Sequence, residues 1–366
     1  MKAGWEVKKI EDVCQVIPGQ SPNSKHYNKE ANGLPFYQGK KEFTNRVLGQ
    51  PTQWTTFVTK EAVAGDIVMS VRAPVGPVNE VSEPICIGRG LAAIRSGHEI
   101  KKDFLWYFLL SIQSEIEGKD GAVFPSINRR EIESIELTLP PLEEQQRIVD
   151  ILHDAFAKLE TARSNTAANL ESSKELFQSV LNESLSGAEE KGWKIKPLKD
   201  CVETFNIKKK IPKKVYQSEG KFPIISQEEE KVSGYWDVED DVTQVDAPVI
   251  IYGDHTQVVK LVDFDFVAGA DGIKPLKPKD GIIAAYLCYF IQANRVPSLG
   301  YARHFRHMKE VLVTVPPLEE QQRIVEKLDS LREQTDSLQQ EYAAHLADID
   351  ELRQSLLQKA FAGELT

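Results

Sequence analysis

The sequence contains little sulfur: its 366 residues include four cysteines and three methionines. The cysteines are scattered along the chain, without the paired spacing of a zinc site or a thioredoxin motif. Isolated free thiols are typical of a reducing compartment, so we expect a cytoplasmic protein. No apolar run approaches the ~20 residues that span a bilayer, and the start MKAGWEVKK lacks the apolar core of a signal peptide.

Catalytic motifs are also missing. The segment GLPFYQGKK (33–41) has five residues between its glycines where a phosphate loop has four, and Lys41 stands where Ser or Thr would hold magnesium. There is no glycine-rich dinucleotide or methyl-donor loop. Asp254 and His255 have no nucleophile near them in the pattern, and the HFRH motif at 304–307 has no acidic metal ligand. The sequence therefore predicts no active site and no metal site.

The most informative feature present is an internal repeat. The segment PPLEEQQRIV occurs without change at 140–149 and at 316–325, and ELFQSVLNESLSG (175–187) returns as ELRQSLLQKAFAG (351–363). Gly4-Trp5 likewise returns at Gly192-Trp193. The distance between equivalent positions falls from 188 at the tryptophans to 176 in the shared helices, so the copies differ in length only in their front parts. A repeat of this length indicates that the chain is built from two copies of one structural unit.

Each copy therefore has two parts. We predict a variable front module at 1–139 and 188–315, followed by a constant rear helix at 140–187 and 316–366. The front modules show short apolar runs broken by Pro and Gly, with helical stretches at 103–116 and near 283–293. This pattern predicts α+β domains, each large enough for a hydrophobic core of its own. The predicted fold is thus two α+β domains and two long helices with an internal pseudo-two-fold repeat.

The rear helices have the pattern of a coiled coil. Proline is tolerated in a first helical turn, and the glutamates that follow suit the positive end of the helix dipole. Apolar residues then recur at alternating steps of three and four over about 44 residues, which corresponds to ~65 Å of helix. We predict that the two helices pair antiparallel, with the bulky Tyr342 and His345 facing small or polar residues of the first helix; packing on another partner is the alternative. The residues expected to make this pairing are Leu152, Leu159, Thr166, Asn169, Leu176, Leu328, Leu338, Tyr342, His345 and Leu352.

Charge follows the same boundaries. The front modules are balanced, with 17 basic and 17 acidic residues in the first and 19 of each in the second. The rear segments hold four basic against eight acidic residues and five against eleven, so the helices account for the net charge of −10. An acidic chain of this kind does not exclude nucleic-acid binding, because a neutral domain can gather its basic residues on one face.

Both front modules contain basic runs that suit such a face. In the first they include Lys25 with Tyr27, Lys40-Lys41 and the segment 128–130. In the second they are KKK at 208–210 followed by KKVY at 213–216, and RHFRH at 303–307. Phosphate contacts use Lys and Arg, and base edges are read by Arg, Asn, Gln, Lys, Ser and His. A lone basic run is usually a solvated loop, but two modules with such runs in corresponding places favour a DNA-binding surface.

Taken together these features resemble the specificity subunit of type I restriction–modification systems. The resemblance covers nearly the whole chain. It rests on the doubled PPLEEQQRIV, on GQSPNSKHYNKEANGLPFYQGKKEF, GDIVMSVRAPVG and CIGRGLAAIR in the first module, on IIYGDHTQVV and FVAGADGIKPLKP in the second, and on the ending AFAGELT.

The resemblance implies a non-catalytic, DNA-reading scaffold. The front modules would be target-recognition domains that each read one half of an asymmetric split site in double-stranded DNA. The helices would set the spacing and dock two modification subunits, which use S-adenosylmethionine to methylate adenine N6; restriction subunits would add ATP and Mg. The expected DNA contacts are Lys25, Tyr27, Lys40, Lys41, Arg72, Arg89, Asn128, Arg129, Arg130, Lys208, Lys209, Lys210, Lys213, Lys214, Tyr216, His255, Gln257, Arg303, His304 and Arg306.

Three other classes of protein remain at this point. A methyltransferase in its own right is opposed by the missing donor-binding motifs. A related subunit of another phage-defence complex would be distinguished by its partners. A structural coiled-coil adaptor would leave the paired basic modules unexplained. The bases of the target, the spacer length and the oligomeric state do not follow from the sequence, because recognition loops are not a residue-by-residue code.

Overall fold

In the computed structural model, residues 4–117, 126–187, 190–270, 272–298, 300 and 302–365 are described. The chain forms two compact units, Met1–Thr166 with Ala344–Thr366, and Ala167–Ala343. This division cuts across the four predicted segments, because each unit contains one front module and part of each rear helix. The four-segment boundaries therefore stay a prediction about the repeat.

Three sheets form the front module of the first unit. The strands are β1 (Glu6–Lys9), β2 (Cys14–Pro18), β3 (Tyr27–Asn28), β4 (Leu34–Tyr37), β5 (Trp54–Thr55), β6 (Glu61–Ala62), β7 (Ile67–Ser70), β8 (Val78–Glu80), β9 (Ile85–Ile87), β10 (Leu91–Ser96) and β11 (Glu136–Leu139). An antiparallel sheet has the order β2-β10-β7-β8, a second sheet has the order β3-β5-β4-β9-β6, and β1 pairs with β11. Strands β4 and β9 run parallel, with Phe36 opposite Cys86.

The front module of the second unit repeats this plan. Its strands are β12 (Lys194–Pro197), β13 (Val202–Thr204), β14 (Lys210–Ile211), β15 (Phe222–Ile225), β16 (Gly234–Trp236), β17 (Val249–Gly253), β18 (Val259–Val262), β19 (Val267–Gly269), β20 (Ile273–Pro278) and β21 (Leu312–Val315). The sheet β13-β20-β17-β18 matches the first unit's four-stranded sheet, and the pair β12-β21 matches its two-stranded one. In the sheet β14-β19-β15-β16, Ile225 lies opposite Ala268 in parallel strands. The predicted α+β modules are confirmed.

Short helices complete each front module. They are α1 (Ile10–Val13), α2 (Lys102–Ser111), α3 (Gln113–Glu117) and α4 (Arg129–Glu133) in the first unit, and α6 (Leu198–Cys201), α7 (Ala284–Ala293) and α8 (Phe305–Met308) in the second. Helices α2 and α7 each have a run of six consecutive buried residues, 104–109 and 286–291. A helix that is apolar on all sides must be covered on all sides. These two helices lie between the sheets and the rear helices, and each belongs to its unit's largest core.

The rear helices are long and unbroken. Helix α5 spans Leu142–Ser184 with 43 residues, and helix α9 spans Leu318–Ala362 with 45 residues. Both begin directly after a Pro-Pro pair, as expected from the proline pattern. A glutamine in the shared motif, Gln145 in α5 and Gln321 in α9, is fully buried in each unit. Both side chains bind backbone atoms of the front module, and these contacts fix the start of each long helix to that module.

Within each unit the two rear helices run antiparallel. In the first unit, the beginning of α5 (Ile148, Leu152) shares a core with the end of α9 (Leu357, Ala360). In the second, the end of α5 (Leu181) shares a core with the beginning of α9, which includes Ile324 and Leu328. The apolar side chains contributed by both helices also cover α2 or α7, so the core of each unit has three components.

The buried positions differ from the strict heptad at two equivalent places. Leu176 and Leu352 were expected in the helix seam, yet each is 49% exposed. The next residues, Phe177 and Arg353, are half-buried and stack on the opposite helix. The reason is the third component of the core: a helix that covers both a partner helix and a front module buries a wider stripe than a two-helix seam. Leu338 is also 39% exposed.

Of the remaining residues predicted to pair the helices, three lie in the first halves of the helices and four lie near the middle. Leu152 and Leu328 are buried, and Leu159 is half-buried. The mid-helix pairing of Thr166 and Asn169 with Tyr342 and His345 stays a prediction.

Candidate nucleic-acid interface

Loops from several strands meet at one end of the first front module. The Gln20 N–H donates to the Ile87 carbonyl at 2.9 Å, the Gly88 N–H to the Tyr37 carbonyl at 2.8 Å, and the Val71 N–H to the Gly90 carbonyl at 2.9 Å. We call this set of loops (18–22, 38–41, 71–74 and 87–91) the first loop cluster. Its side chains share one edge of the module because the strands that carry them end there.

The centre of the first loop cluster is a polar chain that joins three loops. The Arg89 N–H donates to the Ser21 hydroxyl at 3.2 Å, and the hydroxyl donates to Gln38 Oε1 at 3.1 Å. A Cβ added at Gly90 would collide with the Gln38 carbonyl, so only glycine permits this approach. Gln38 is exposed and its amide nitrogen has no partner among the described residues. The sequence analysis did not identify Gln38 as a site residue.

Five expected DNA contacts lie on or beside this cluster with exposed side chains. They are Lys25, Lys40, Lys41, Arg72 and Arg89. Within the part of the chain that the structure describes, none of the five forms an ion pair. Tyr27 has a different role, because its hydroxyl donates to the Pro22 carbonyl at 2.8 Å and its ring stacks on Phe36 at 4.8 Å. Burial raises the pKa of Tyr27. It supports the Lys25 turn and presents little polar surface.

The segment 128–130 divides into a helix cap and two arginines. The Asn128 side chain accepts a hydrogen bond of 3.2 Å from the Glu131 N–H, so this side chain caps helix α4. Arg129 pairs with Glu133 at 2.6 Å on the same helix. Arg130 is exposed and forms no ion pair with any described residue. Of the three, Arg130 retains the most freedom to bind a phosphate.

The second front module has a similar arrangement, which we call the second loop cluster (226–228, 253–257, 269–270, 272–273 and 302–305). Gln227 joins its loops: Gln227 Oε1 accepts from the His255 N–H at 3.3 Å, and its carbonyl accepts from the Thr256 hydroxyl at 2.7 Å. A Cβ on Gly272, whose φ is +96°, would lie 2.6 Å from Gln227 Oε1. This contact is with the end of the Gln227 side chain, whereas Gly90 approaches the backbone carbonyl of Gln38.

The two glutamines lie at neighbouring, not identical, points of their modules. Tyr37 and Ile225 end equivalent strands, because the side chain of each enters the matching core of its module. Gln38 follows Tyr37 directly, whereas Gln227 follows Ile225 by two residues. The counterpart of Gln38 is therefore Ser226, and the feature that the modules share is a glutamine within each loop cluster.

The lysines of the second module differ in their partners. Lys209 pairs with Asp241 at 2.9 Å, and Lys213 pairs with Glu228 at 2.9 Å. The remaining three, Lys208, Lys210 and Lys214, are exposed and form no ion pair in the described ranges, although the charge of Lys208 helps to lower the pKa of Asp241. Tyr216 is half-buried, its hydroxyl accepting from the Ala270 N–H at 3.1 Å. The run that looked uniform in sequence therefore contains two lysines whose charge is balanced within the module.

Two expected DNA contacts lie inside the protein. Gln257 is 7% exposed, and its amide both donates to the Val296 carbonyl and accepts from the Val296 N–H, each at 3.0 Å. His304 is 1% exposed, with Nδ1 3.1 Å from the Asp254 carbonyl. A buried side chain offers no surface to DNA in this conformation. We therefore leave both residues out of the proposed DNA face.

Their neighbours are more accessible. Arg303 and Arg306 are exposed, and Arg306 Nε donates to His307 Nε2 at 3.0 Å. His255 is half-buried, with Nδ1 3.1 Å from the Ala302 carbonyl. The buried Asp254 accepts a hydrogen bond of 2.8 Å from the Phe305 N–H, so its carboxylate holds the loop that contains the arginines.

The described residues contain no group of three or more His, Cys, Asp or Glu side chains that could hold a metal ion. All four cysteines are free, and burial raises the pKa of Cys14 and of Cys288 to about 12. At neutral pH these thiols stay protonated and unreactive. In the same part of the chain, no helix is long and apolar enough to cross a membrane.

Comparison with known proteins gives consistent results. The family model "Type I restriction modification DNA specificity domain" matches residues 2–169 and 190–344. The chain is 25% identical over 374 residues to the type I restriction enzyme EcoDI specificity subunit of Escherichia coli, covering 87% of this chain and 81% of that protein. It is 47% identical over 148 residues to the MjaX specificity subunit of Methanocaldococcus jannaschii, where the match spans only 35% of the relative's length and 39% of this chain.

A solved structure shows the same fold along the whole chain. This structure, from work on complex assembly and conformational transition of the type I R-M system, matches with a TM-score of 0.83 and 20% identity, covering 100% of this chain and 99% of that one. The family model matches each copy of the repeat separately, and each match includes one loop cluster. The chain therefore belongs to the type I restriction–modification DNA specificity family.

Proposed function

We propose that this chain is the DNA-reading subunit of a type I restriction–modification complex and that each front module reads one half of a split site through its loop cluster. The observation that supports this most is that each module gathers its loops around a glutamine, Gln38 in the first and Gln227 in the second, beside exposed basic residues. Glutamine binds adenine with two hydrogen bonds, in which its amide oxygen accepts from N6 and its amide nitrogen donates to N7. The exposed basic residues around each cluster would bind phosphates and so orient the module on the duplex.

The two half-sites would differ in sequence. In the first module two exposed arginines, Arg72 and Arg89, come from the loops beside the central strands. In the second module two exposed arginines, Arg303 and Arg306, come from the segment before the last strand. Arginine recognises guanine with two hydrogen bonds. Modules that present their arginines from different loops would select different bases, which makes the complete site asymmetric.

The rear helices would have two further roles. They would hold the modules at a fixed separation, and their exposed faces would dock two modification subunits that bind S-adenosylmethionine. Restriction subunits would contribute ATP and Mg to the same complex. This chain would itself hold no cofactor, in keeping with its membership of a family of non-catalytic subunits.

Exchanging one module tests this function. In the assembled complex, residues 192–315 are replaced by the matching module of a relative, and methylated adenines are mapped by sequencing. We expect one half of the methylated site to change and the other half, with the gap, to persist. A change in both halves, with assembly intact, would refute independent reading. The isolated chain, incubated with S-adenosylmethionine and DNA, should transfer no methyl group.

A further inference from the structure

The contacts between the rear helices contain the same unlike pair twice. In the first unit the Arg353 guanidinium lies 4.7 Å from the centre of the Phe156 ring. In the second unit the Arg332 guanidinium lies 4.6 Å from the centre of the Phe177 ring. In both places α5 supplies the phenylalanine and α9 supplies the arginine. A guanidinium over an aromatic face is a favourable cation–π contact, and it strengthens when it is shielded from water.

These positions are related by the internal repeat. When the two PPLEEQQRIV segments are aligned, position 156 of α5 corresponds to 332 of α9, and 177 corresponds to 353. Phe177 follows Phe156 by three heptads, and Arg332 precedes Arg353 by the same distance, so both pairs fit one antiparallel register. The repeat has therefore diverged at these positions. Helix α5 has phenylalanine at both of them, and helix α9 has arginine at both.

Because the helices descend from one unit, each could in principle pair with its own copy in a second chain. In the same register, α5 with α5 would place Phe156 against Phe177, and α9 with α9 would place Arg332 against Arg353. The second arrangement brings like charges together, which opposes association. In the wild-type chain, each arginine of α9 contacts a phenylalanine of α5, so this repulsion does not arise.

An ion pair between the helices adds a second, independent difference. Arg163 of α5 binds Asp350 of α9 at 2.5 Å in the first unit. The repeat equivalent of Asp350 in α5 is Lys174. Pairing α5 with another α5 would therefore replace an opposite-charge contact by Arg163 against Lys174. Self-pairing of either helix thus meets repulsion between basic side chains.

We propose that Phe156, Phe177, Arg332 and Arg353 form a recognition code that makes α5 pair with α9 and not with a second copy of itself. The code concerns assembly of the chain and goes beyond DNA reading. In each unit a tyrosine of the front module contacts the code, and it contacts phenylalanine in one unit and arginine in the other. The Tyr107 ring packs edge-on against Phe156 at 5.3 Å, whereas the equivalent Tyr289 ring lies 4.9 Å from the Arg332 guanidinium. Exchanging the code between the helices should therefore keep an aromatic contact with each module, and it removes the hydrogen bond of 2.8 Å from Arg332 to Gln292 Oε1 on helix α7.

Two variants of the full chain test whether the code can direct pairing between helices of two different chains. The all-arginine variant contains Phe156→Arg and Phe177→Arg, and the all-phenylalanine variant contains Arg332→Phe and Arg353→Phe. Within the all-arginine chain both helices present arginine and repel each other. Each helix of that chain fits the opposite helix of the all-phenylalanine chain. With different affinity tags, the two co-expressed variants should co-purify about ten-fold more than two tagged wild-type copies.

A single-chain measurement keeps the test decisive if either variant folds poorly. All four substitutions are combined in one chain, which exchanges the code between helices and restores every unlike contact. Its Tm should lie clearly above that of the all-arginine variant, which falls by about 4 °C or more below wild type. Co-purification no greater than for wild-type copies, or a four-fold variant as unstable as the all-arginine one, would overturn the code. Neither readout involves DNA, so the result is separate from the proposed function.

Discussion

Gln145 holds the backbone of Lys101, because its Oε1 accepts a hydrogen bond of 2.8 Å from the Lys101 N–H at the start of helix α2. Its amide nitrogen donates to the carbonyls of Glu99 and Pro140, both at 2.9 Å. Gln321 makes the same three contacts in the second unit, with Ile283 in the place of Lys101. All partner atoms belong to the backbone. The joint between module and helix is thus independent of the module's side chains, which explains how variable modules adjoin a constant motif.

Removing this amide should destabilise the unit that contains it. In Gln145→Ala the Lys101 N–H and two carbonyls lose their partner in a buried place, and we expect a loss of about 2–3 kcal/mol in the free energy of unfolding. Gln146→Ala is the matched control, since that exposed side chain bonds only Asp150 on its own helix. Its effect should stay within about 0.5 kcal/mol. Denaturant unfolding of both variants checks this, and equal losses would contradict the role assigned to Gln145.

The lysines of the second module should fall into two functional groups. Replacing Lys208, Lys210 and Lys214 with Ala removes three exposed charges that form no ion pair in the described structure. If all three bind phosphates, the slope of log K against log salt should decrease by roughly 2.7. Replacing Lys209 and Lys213, which are already paired with Asp241 and Glu228, should change the slope less per residue. The measurement is DNA affinity of the assembled complex at several salt concentrations.

The glutamines of the two loop clusters, Gln38 and Gln227, should read bases. Gln38→Ala is expected to relax selection at one position of the first half-site, with a loss of about 1–3 kcal/mol in discrimination between bases. Gln227→Ala should do the same in the other half-site. Gln50→Ala is a suitable control, because Gln50 is an exposed glutamine of the first module outside the loop cluster. Sequencing of methylated sites in a random library measures all three. Unchanged selection in both cluster variants would exclude base reading by these residues.

The rear helices should act as a ruler. Seven residues inserted into each helix, near Thr166 and Tyr342, keep the heptad in phase and lengthen both helices by ~10 Å. At ~3.4 Å per base pair the gap between half-sites should grow by about three pairs, give or take one because the DNA also rotates. Lengthening only one helix should impair folding, since the other would span a shorter distance. A double insertion that methylates DNA with the original gap would contradict this role.

One ion pair should make stability depend on pH. The hydrogen bond from Lys209, aided by one from Trp236, holds the pKa of Asp241 below its usual range. A lowered carboxyl pKa stabilises the fold above the unfolded value of ~3.9, and this contribution disappears as the pH falls through the folded pKa. Asp241→Asn should therefore have a lower Tm than wild type at pH 7, and the difference should shrink below about pH 4. A difference that is constant with pH would show that the charge of Asp241 is irrelevant.

The repeat, the long helices and the α+β modules could be predicted because each leaves a periodic or duplicated pattern in the sequence. The seam was predicted less well. Leu176 and Leu352 occupy correct heptad positions, but a heptad describes two helices, and these cores have three components. Nothing in the helix sequence alone reports the presence of α2 or α7. The inward placement of Phe177 and Arg353 follows from that third neighbour.

The candidate DNA face could be predicted in its charges but not in its geometry. Counting basic residues identified Arg72, Arg89 and Lys208, which are exposed. The expected set also included Gln257 and His304, which are buried, because a sequence pattern does not distinguish the surface residues of a loop from the residues that support it. Gln38 was missed since its position is defined by the pairing of β4 with β9, residues far apart in the chain. Long-range register of this kind is invisible to local motifs.

The packing of Phe361 has a consequence for how the protein is made. Its ring lies 5.1 Å from that of Phe104 and 5.6 Å from that of Phe108, so the core of the first unit includes a segment synthesised after the whole second unit. At typical translation rates, the ribosome needs roughly 10 to 35 s to pass from residue 166 to 344. During that time the aromatic side chains of helix α2 lack their final cover. The module that emerges first is thus completed last, and a nascent chain that stalls in between exposes apolar surface to chaperones and proteases.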